Sequence, residues 1–226
     1  MLQKSTIQFL KQLRKNNNKP WFDTHRSEYE SARADYAAFI QKVIDAHGKK
    51  DPSIKHLVAK DCMFRINRDV RFSKDKSPYK TNFGASINQG GKQAVHSAGY
   101  YFHCEPGSSF SGGGIWMPPA DVLRNIRQEI DYSLNDFTKI LQTRSFKSIY
   151  GGLDADKEYK LSRVPKGYEA DNPAAEYLRF KSYIASVAIS DEDLTSPALL
   201  KKILKSFEAL QPLIQFLNQA EPGSQG

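Results

Sequence analysis

The sequence predicts an α+β fold, a single domain with a central, mainly antiparallel sheet and helices from the N- and C-terminal parts packed on it. Three observations support this prediction. Apolar residues recur at helical spacing in the first 50 residues and again after residue 118. Between about residues 60 and 116 the spacing changes to every second residue, which is typical of strands. Helices gathered at the two ends, with strands between them, favour α+β.

The first helix is predicted from Phe9 and Leu13, with Ile7 and Leu10 beside them, and three asparagines and Pro20 end it. A second helix follows Asp23 and stops near Gly48. Its apolar stripe predicts a buried face made of Tyr29, Tyr36, Phe39, Ile40, Val43 and Ile44.

The strands are predicted at 62–67, 84–88 and 100–105, because apolar and polar residues alternate in the first and last of these. A fourth strand, 182–189, is apolar on both faces and suits a buried position. Gly112, Gly113 and Gly114 fit either a tight turn between strands or a backbone nest that binds an anion. We expect Trp116 to anchor the core.

The C-terminal half is predicted to be mainly helical. Pro118 and Pro119 open one helix, Ser133 begins another, and 171–181 is helix-like, whereas 142–170 is rich in turns. A final apolar stripe runs from Leu200 to Leu217, and Pro212 within it predicts a kink or a restart. One domain over 1–220 with a flexible tail at 221–226 accounts for the length.

The composition excludes some classes of protein. With 39% hydrophobic and 12% aromatic residues among 226, the chain is not globally disordered. No apolar run approaches 18 residues, so we expect no membrane-spanning helix. Cys62 and Cys104 form no zinc motif or disulfide framework, and the histidines show no metal-binding spacing, so we predict no metal site and a cytoplasmic location. The sequence names no cofactor and no oligomeric state.

Positive charge is concentrated in one segment. The net charge is +8, and residues 1–113 carry 19 basic and 10 acidic side chains. Residues 65–80, which we call the 65–80 segment, hold six of these cations and two aspartates. Aspartates placed among arginines can orient guanidinium groups to grip a phosphate or carboxylate. The candidate ligand-binding residues here are Arg65, Arg68, Arg71, Lys74, Lys76, Tyr79 and Lys80, with Asp69 between two arginines.

A second candidate cluster lies on the polar face of the strand at 100–105. Tyr101, His103 and Glu105 alternate with apolar residues and therefore share one side of the strand. If the strand at 62–67 pairs nearby, Arg65 and Asn67 join the same surface. A histidine there can act as an acid or base, oriented by the glutamate. The catalytic candidates are therefore His103, Glu105 and Asp69, and Tyr101 and Gly113 are further ligand-binding candidates.

Several of these segments resemble the domain of unknown function 2461 family, a group of bacterial conserved hypothetical proteins. The strings that carry the resemblance are 68–84, 99–103, 105–107, 112–116 and 165–168, and the similarity spans roughly residues 5 to 215. Asn172, before Pro173, departs from the family pattern, in which we expect histidine. The resemblance implies a single, cytoplasmic α+β domain, but it implies no reaction.

Three functions remain open at this point, and so does the question of whether the protein is an enzyme. The first is a site for an anionic small molecule, phosphate or carboxylate, built on the Arg68–Lys80 motif. The second is nucleic-acid binding through the basic N-terminal half, with Tyr79, Tyr101 or Trp116 stacking on bases, although no recognised motif supports it. The third is a structural or interaction role, in which the motif is an internal network of Arg–Asp pairs.

Overall fold

A four-stranded antiparallel sheet lies at the centre of the computed structural model, which describes residues 1–94 and 96–220. Its strands follow one another in the order β1-β2-β3-β4. Their bounds are β1 Phe83–Ile87, β2 Gly99–Cys104, β3 Phe110–Ile115 and β4 Tyr183–Ala188. The predicted α+β class with a central antiparallel sheet is confirmed. The tail predicted at 221–226 lies outside the described residues.

Helices precede the sheet, interrupt it between β3 and β4, and follow it. Over the described residues they number ten: α1 Lys4–Lys15, α2 Lys19–Thr24, α3 Arg26–His47, α4 Ala59–Cys62, α5 Ala120–Tyr132, α6 Leu134–Gln142, α7 Arg144–Tyr150, α8 Ala175–Leu178, α9 Asp191–Leu194 and α10 Leu199–Gln219. The predicted α1, α3, α5, α6 and α10 are all present, because each carries an apolar stripe that packs into the core.

Helices α3 and α10 cover one face of the sheet. From α3, the Tyr36 hydroxyl donates to the Phe102 carbonyl oxygen at 2.8 Å, and the two rings stack. From α10, Phe207 stacks on Tyr100 with ring centroids 4.6 Å apart. Alternate residues of β2 therefore point into the core, as the spacing in the sequence predicted.

The other residues of the strands point to the opposite face, which we call the outer face. Tyr101 and His103 of β2 lie there between Gly84 of β1 and Phe110 of β3. Tyr101, His103 and Phe110 are only partly buried. The outer face therefore presents polar and aromatic side chains where small neighbouring residues leave room.

The strand predicted at 62–67 is wrong. Cys62 ends the short helix α4, and Met63 then pairs with Ala85 of β1 through a single bridge. The Phe64 amide continues this pairing by donating to the Gly84 carbonyl oxygen at 3.0 Å. Asn67 instead bridges to Tyr79. The segment runs along the edge beyond β1 and then turns away, so β1 separates it from β2.

The run of glycines forms neither the turn nor the anion-binding nest that the sequence suggested. Gly112, Gly113 and Gly114 lie within β3, and they are paired with β2 on one side and β4 on the other. Because the strand is central, its backbone groups serve the ladders on both sides. Trp116, predicted to anchor the core, follows β3 and is 64% exposed.

Three differences affect the C-terminal half. Helix α7 occupies part of the stretch predicted to consist of turns, and the helix predicted at 171–181 is only the single turn of α8. Helix α10 continues through Pro212 without a break, so it does not restart there. No helix of the described residues is both long and apolar enough to cross a membrane.

Candidate functional site

The polar side chains at the end of β2 form a connected chain of hydrogen bonds. The Tyr101 hydroxyl lies 3.1 Å from Nδ1 of His103, and Nε2 of His103 lies 3.2 Å from Oε2 of Glu105. Asn82 Nδ2 is also 3.3 Å from the same Nδ1. These contacts fit a neutral imidazole that accepts at Nδ1 and donates from Nε2. The predicted cluster of Tyr101, His103 and Glu105 is therefore brought together in space.

The protonation states agree with that assignment. Burial lowers the pKa of His103, and it outweighs the opposing hydrogen bond and charge of Glu105. For Glu105, burial raises the pKa, but hydrogen bonds from Thr81 and His103 and the charge of Arg14 together hold it below its ordinary value. Burial raises the pKa of Tyr101 to about 12. At neutral pH the site thus holds a carboxylate, a neutral imidazole and a phenol.

Residues from elsewhere in the chain hold Glu105 in place. Thr81 Oγ1 donates to Oε1 at 2.6 Å, and Arg14 of α1 forms an ion pair with the same oxygen at 3.3 Å. Arg14 also donates to the Pro106 carbonyl oxygen at 2.7 Å. The Phe110 ring stacks on His103 with centroids 4.8 Å apart. Glu105 therefore pairs with Arg14 and not with Arg65, and the imidazole is held from several directions.

Lys80 lies beside this cluster and contacts an aromatic ring. Its ammonium lies 5.3 Å from the centre of the Phe64 ring, which in turn packs near Tyr101. Within the described residues Lys80 Nζ makes no hydrogen bond or ion pair, although its side chain is partly buried. Burial lowers its pKa, and the charge of Arg65 lowers it further. Arg65 is exposed and likewise lacks an ion pair with the described part of the chain.

Arg68 is occupied inside its own loop. The guanidinium forms an ion pair with Asp75 and donates to the Ser77 carbonyl oxygen at 3.1 Å and to Ser73 Oγ at 3.3 Å. Its side chain is only 25% exposed. Hydrogen bonds from Ser77 and then from Arg68 lower the pKa of Asp75 to about 2. Arg68 therefore stabilises the loop formed by the 65–80 segment through contacts within that loop.

Arg71 is bound to a different carboxylate. Its Nε and terminal nitrogen donate to the two oxygens of Asp69 at 3.0 and 2.6 Å, and 76% of its side chain is exposed. Asp69 therefore does not lie between Arg68 and Arg71, because Arg68 pairs with Asp75 instead. The expected pair of guanidiniums oriented by one shared aspartate is not formed.

The remaining candidates of the 65–80 segment lie apart from the cluster on β2. Lys76 donates to the Val70 carbonyl oxygen at 3.0 Å, and Lys74 is exposed. Tyr79 is buried and stacks on Phe22 with centroids 4.0 Å apart, so the ring predicted to contact a ligand or a base belongs to the core. Gly113 belongs to the helix-covered face, where a β-carbon would lie 3.2 Å from Cδ1 of Leu210 in α10.

Several residues of the site were not singled out from the sequence. Thr81, Asn82, Phe110, Phe64 and Arg14 all contact the Tyr101–His103–Glu105 cluster or Lys80. Thr81 and Asn82 lie within the 68–84 string that carries the family resemblance, so the resemblance could have identified them as site residues. Arg14 lies 91 positions before Glu105, and no local pattern connects them. The described residues contain no group of three or more potential metal ligands.

These features define a class: an α+β protein with a polar, partly buried cluster on the outer face of an antiparallel sheet. The model of the conserved hypothetical protein family DUF2461 matches residues 5–216 of the chain. The chain therefore belongs to this family, as its motifs suggested. Comparison with curated proteins and with solved structures found no match.

Proposed function

We propose that the protein binds a small anionic ligand, a phosphate or carboxylate compound, at Lys80, next to the Tyr101–His103–Glu105 cluster. The observation that carries this proposal is the partly buried ammonium of Lys80, which has no hydrogen bond or ion pair with any described residue. A charge removed from water without a hydrogen bond or ion pair is costly, and contact with the Phe64 ring offsets only part of that cost. A bound anion supplies the missing partner, and it also offsets the repulsion between Lys80 and Arg65.

The neighbouring groups fit the binding of a polar ligand. The Tyr101 hydroxyl oxygen on the outer face can accept a hydrogen bond from a hydroxyl group of the ligand, and Phe64 and Phe110 supply apolar walls beside it. Both ring nitrogens of His103 are already in contact with protein atoms. In this proposal His103 therefore acts by orienting Tyr101, and Glu105 keeps the imidazole in the tautomer that accepts at Nδ1.

The hydrogen bonds and ion pairs within the 65–80 segment fix the shape of the loop that leads to Lys80. Arg68, Asp75 and Ser77 hold the loop in shape, and the Arg68 amide donates to the Pro78 carbonyl oxygen at 2.9 Å. The Lys80 amide donates to the Ile66 carbonyl oxygen at 2.7 Å. These bonds favour a structural role for Arg68 and an electrostatic role for Lys80, within one motif.

A thermal-shift and calorimetric screen tests this function. Inorganic phosphate, nucleotides, sugar phosphates and metabolite carboxylates are titrated into the wild type and the Lys80→Met variant at constant ionic strength. Ligands that bind only the folded state raise the melting temperature by mass action. Methionine keeps the stem but removes the unpaired charge, so the free variant should be at least as stable as the wild type while its ligand-induced shift is lost.

Lys74→Met is the matched control. It removes one positive charge from the same segment at an exposed position, so it should leave the ligand-induced shift in place. A Lys80→Met protein that still binds with wild-type affinity would contradict the proposal. So would equal weakening by the two variants, since that result indicates a diffuse effect of net charge.

Nucleic-acid binding is the second candidate, and one observation favours it. Phe72 is 96% exposed in the basic segment, and the Arg71 guanidinium lies 5.7 Å from the centre of its ring. An exposed aromatic ring beside cations can stack on a base of a single strand. A fluorescence titration with a single-stranded oligonucleotide at several salt concentrations tests this function. It requires affinity that falls steeply with salt and drops further in Phe72→Ala.

We also infer that the protein works in a reducing compartment, the cytoplasm. Cys62 and Cys104 are both free and buried, and burial raises the pKa of the Cys62 thiol to about 11. Such thiols are poor nucleophiles and behave as small apolar side chains. Fractionation of cells that produce the tagged chain, with compartment markers, checks the location.

A further inference from the structure

A second basic cleft lies far along the chain from Lys80, where two short segments meet. Residues 159–161 run antiparallel to 179–181. The Leu161 amide donates to the Arg179 carbonyl oxygen and the Lys181 amide to the Tyr159 carbonyl oxygen, both at 2.7 Å. Lys160 and Phe180 form the bridge between these two bonds. This pairing fixes the point at which Ser162 and Arg163 leave one segment and Arg179 leaves the other.

A turn then brings the chain back over this point. The Tyr168 amide donates to the Pro165 carbonyl oxygen at 3.3 Å, and Gly167 has φ +99°, which favours glycine at the third position of such a turn. The turn is the Pro165–Tyr168 string that carries part of the family resemblance. It places the Tyr168 ring at the wall of the cleft.

The cleft is open to solvent and has the volume of a small-molecule site. Its volume is about 370 Å³, within the range of such pockets. The lining residues are Ser162, Arg163, Val164, Tyr168, Ala170 and Arg179. They include two arginines, two hydroxyl groups and two small apolar side chains, but no carboxylate.

The two arginines keep their donors available. Arg163 is exposed and makes no hydrogen bond or ion pair within residues 1–94 and 96–220. Arg179 uses Nε to donate to the Leu161 carbonyl oxygen at 2.9 Å. Its two terminal nitrogens have no partner in the same part of the chain. A guanidinium held at Nε with its terminal nitrogens free is already oriented to bind an oxyanion.

We propose that this cleft, lined by Arg163, Arg179 and Tyr168, binds a small phosphorylated metabolite, with the phosphoryl group between the two guanidiniums and the rest of the ligand against the Tyr168 ring. Two positive charges match a phosphate dianion, whereas a carboxylate would balance only one. The proposed Lys80 site shares no residue with this cleft, so each of the two proposals can fail without the other.

One basic and one acidic side chain flank the cleft. Arg127 of α5 donates to the Phe180 carbonyl oxygen at 2.9 Å, and its charge acts on Tyr168. Asp131 is the acidic neighbour that acts on the same ring, and it accepts a hydrogen bond from Asn172 at 2.7 Å. Burial raises the pKa of Tyr168, so its hydroxyl stays protonated and can donate to a phosphate oxygen.

Isothermal titration at constant ionic strength tests the proposal, with a hexose phosphate as the probe and the unphosphorylated hexose as its comparison. The wild type should bind the phosphorylated sugar saturably, and the hexose not at all. Arg163→Gln, at an exposed position without contacts, should weaken binding at least tenfold without lowering the melting temperature. Arg144→Gln, an exposed arginine on α7, should change nothing.

Three results would overturn the proposal: no saturable binding of the hexose phosphate at millimolar concentration, wild-type affinity in Arg163→Gln, or equal affinity for a sugar acid of the same size. Arg179→Lys adds a second measurement, because it keeps the charge but loses the two-nitrogen fork. If that variant unfolds, Arg163→Gln alone decides. The Lys80→Met variant in the same titration separates the two sites. If Lys80→Met loses binding while Arg163→Gln binds like the wild type, the phosphate binds at Lys80.

Discussion

The hydroxyl group of Tyr101 occupies the space in which a side chain at position 84 would begin. A β-carbon on Gly84 would overlap that hydroxyl oxygen and lie 3.2 Å from Cζ of the ring. The two residues are diagonal neighbours across the β1–β2 ladder, where Gly84 is paired with His103 and Tyr101 with Ser86. The hydrogen bond between Tyr101 and His103 thus depends on the absence of a side chain on the neighbouring strand.

The first prediction concerns this relationship. Gly84→Ala should displace the Tyr101 ring, break its hydrogen bond to His103 and lower the free energy of unfolding by roughly 1 to 3 kcal/mol. Chemical denaturation measures the loss of stability, and the ring resonances of His103 report the lost bond. Gly152→Ala is the control, because nothing lies within 4 Å of its β-carbon position. Unchanged His103 resonances in Gly84→Ala would show that the ring does not need that space.

The second prediction separates the two arginines of the 65–80 segment. Arg68→Ala removes an ion pair and two further hydrogen bonds from a half-buried guanidinium. The Arg68 and Lys80 amides, which close the loop, should then exchange with deuterium about tenfold faster, equivalent to about 1.4 kcal/mol. Arg71→Ala should change exchange little, because exposed ion pairs contribute little. Equal protection in the two variants would contradict this assignment.

The third prediction concerns His47, whose two ring nitrogens are buried and lack a hydrogen-bond partner among the described residues. Burial lowers its pKa from 6.5, and it outweighs Asp51 and Glu208, which raise the pKa, while Lys50 lowers it further. Below pH 6.5 the unfolded chain therefore binds more protons than the folded one, and stability should fall as the pH drops. Denaturation between pH 7.5 and 5 measures this effect.

In the His47→Phe variant, the free energy of unfolding should depend less on pH. At neutral pH this variant should be more stable by about 1 kcal/mol, because it removes unpaired buried nitrogens and keeps a ring against Tyr100 and Phe207. His103, whose pKa is also lowered, accounts for a further part of the slope. His56→Gln, at an exposed position, serves as the control. An unaltered pH dependence in His47→Phe would exclude His47 as its source.

The fourth prediction concerns Pro212, which is exposed within α10. Proline has no amide hydrogen, so the Glu208 carbonyl lacks its intrahelical donor. Pro212→Ala should restore this bond and stabilise the protein by about 1 to 3 kcal/mol in thermal denaturation. Pro173→Ala, outside any helix, should not. A lower melting temperature for Pro212→Ala would mean that the packing of α10 requires the proline's shape.

Much of the fold could be predicted because its elements carry a periodic burial pattern. In β2 every second residue is buried under α3 and α10, and the sequence shows the same alternation. Strand β3 was not predicted, because three of its six residues are glycines and the sequence therefore shows no alternation of apolar and polar side chains. The alternation at 62–67 is real, but within the part of the chain that the structure describes this segment bridges to β1 only at Met63, so it does not become a strand.

The candidate site could be predicted only as far as local spacing reaches. Tyr101, His103 and Glu105 were identified together because alternate residues of one strand share a face. The partners that complete the cluster come from α1, from the residues before β1 and from β3, and only tertiary folding brings them close. The pairing of Arg68 with Asp75, not with Asp69, likewise depends on the closure of the loop between Ile66 and Lys80.

The contact between α10 and the sheet has a consequence for the order of folding. The Ser206 hydroxyl meets that of Ser111 at 2.5 Å on the core side of β3, and Gly113 leaves room there for Leu210. The surface that joins them cannot form until residues 199–219 have left the ribosome. Until then the half of β2 and β3 that α10 later covers stays exposed, and the nascent chain is open to aggregation and to chaperones. A ribosome-stalling series across α10 should therefore show protease resistance appearing late and abruptly.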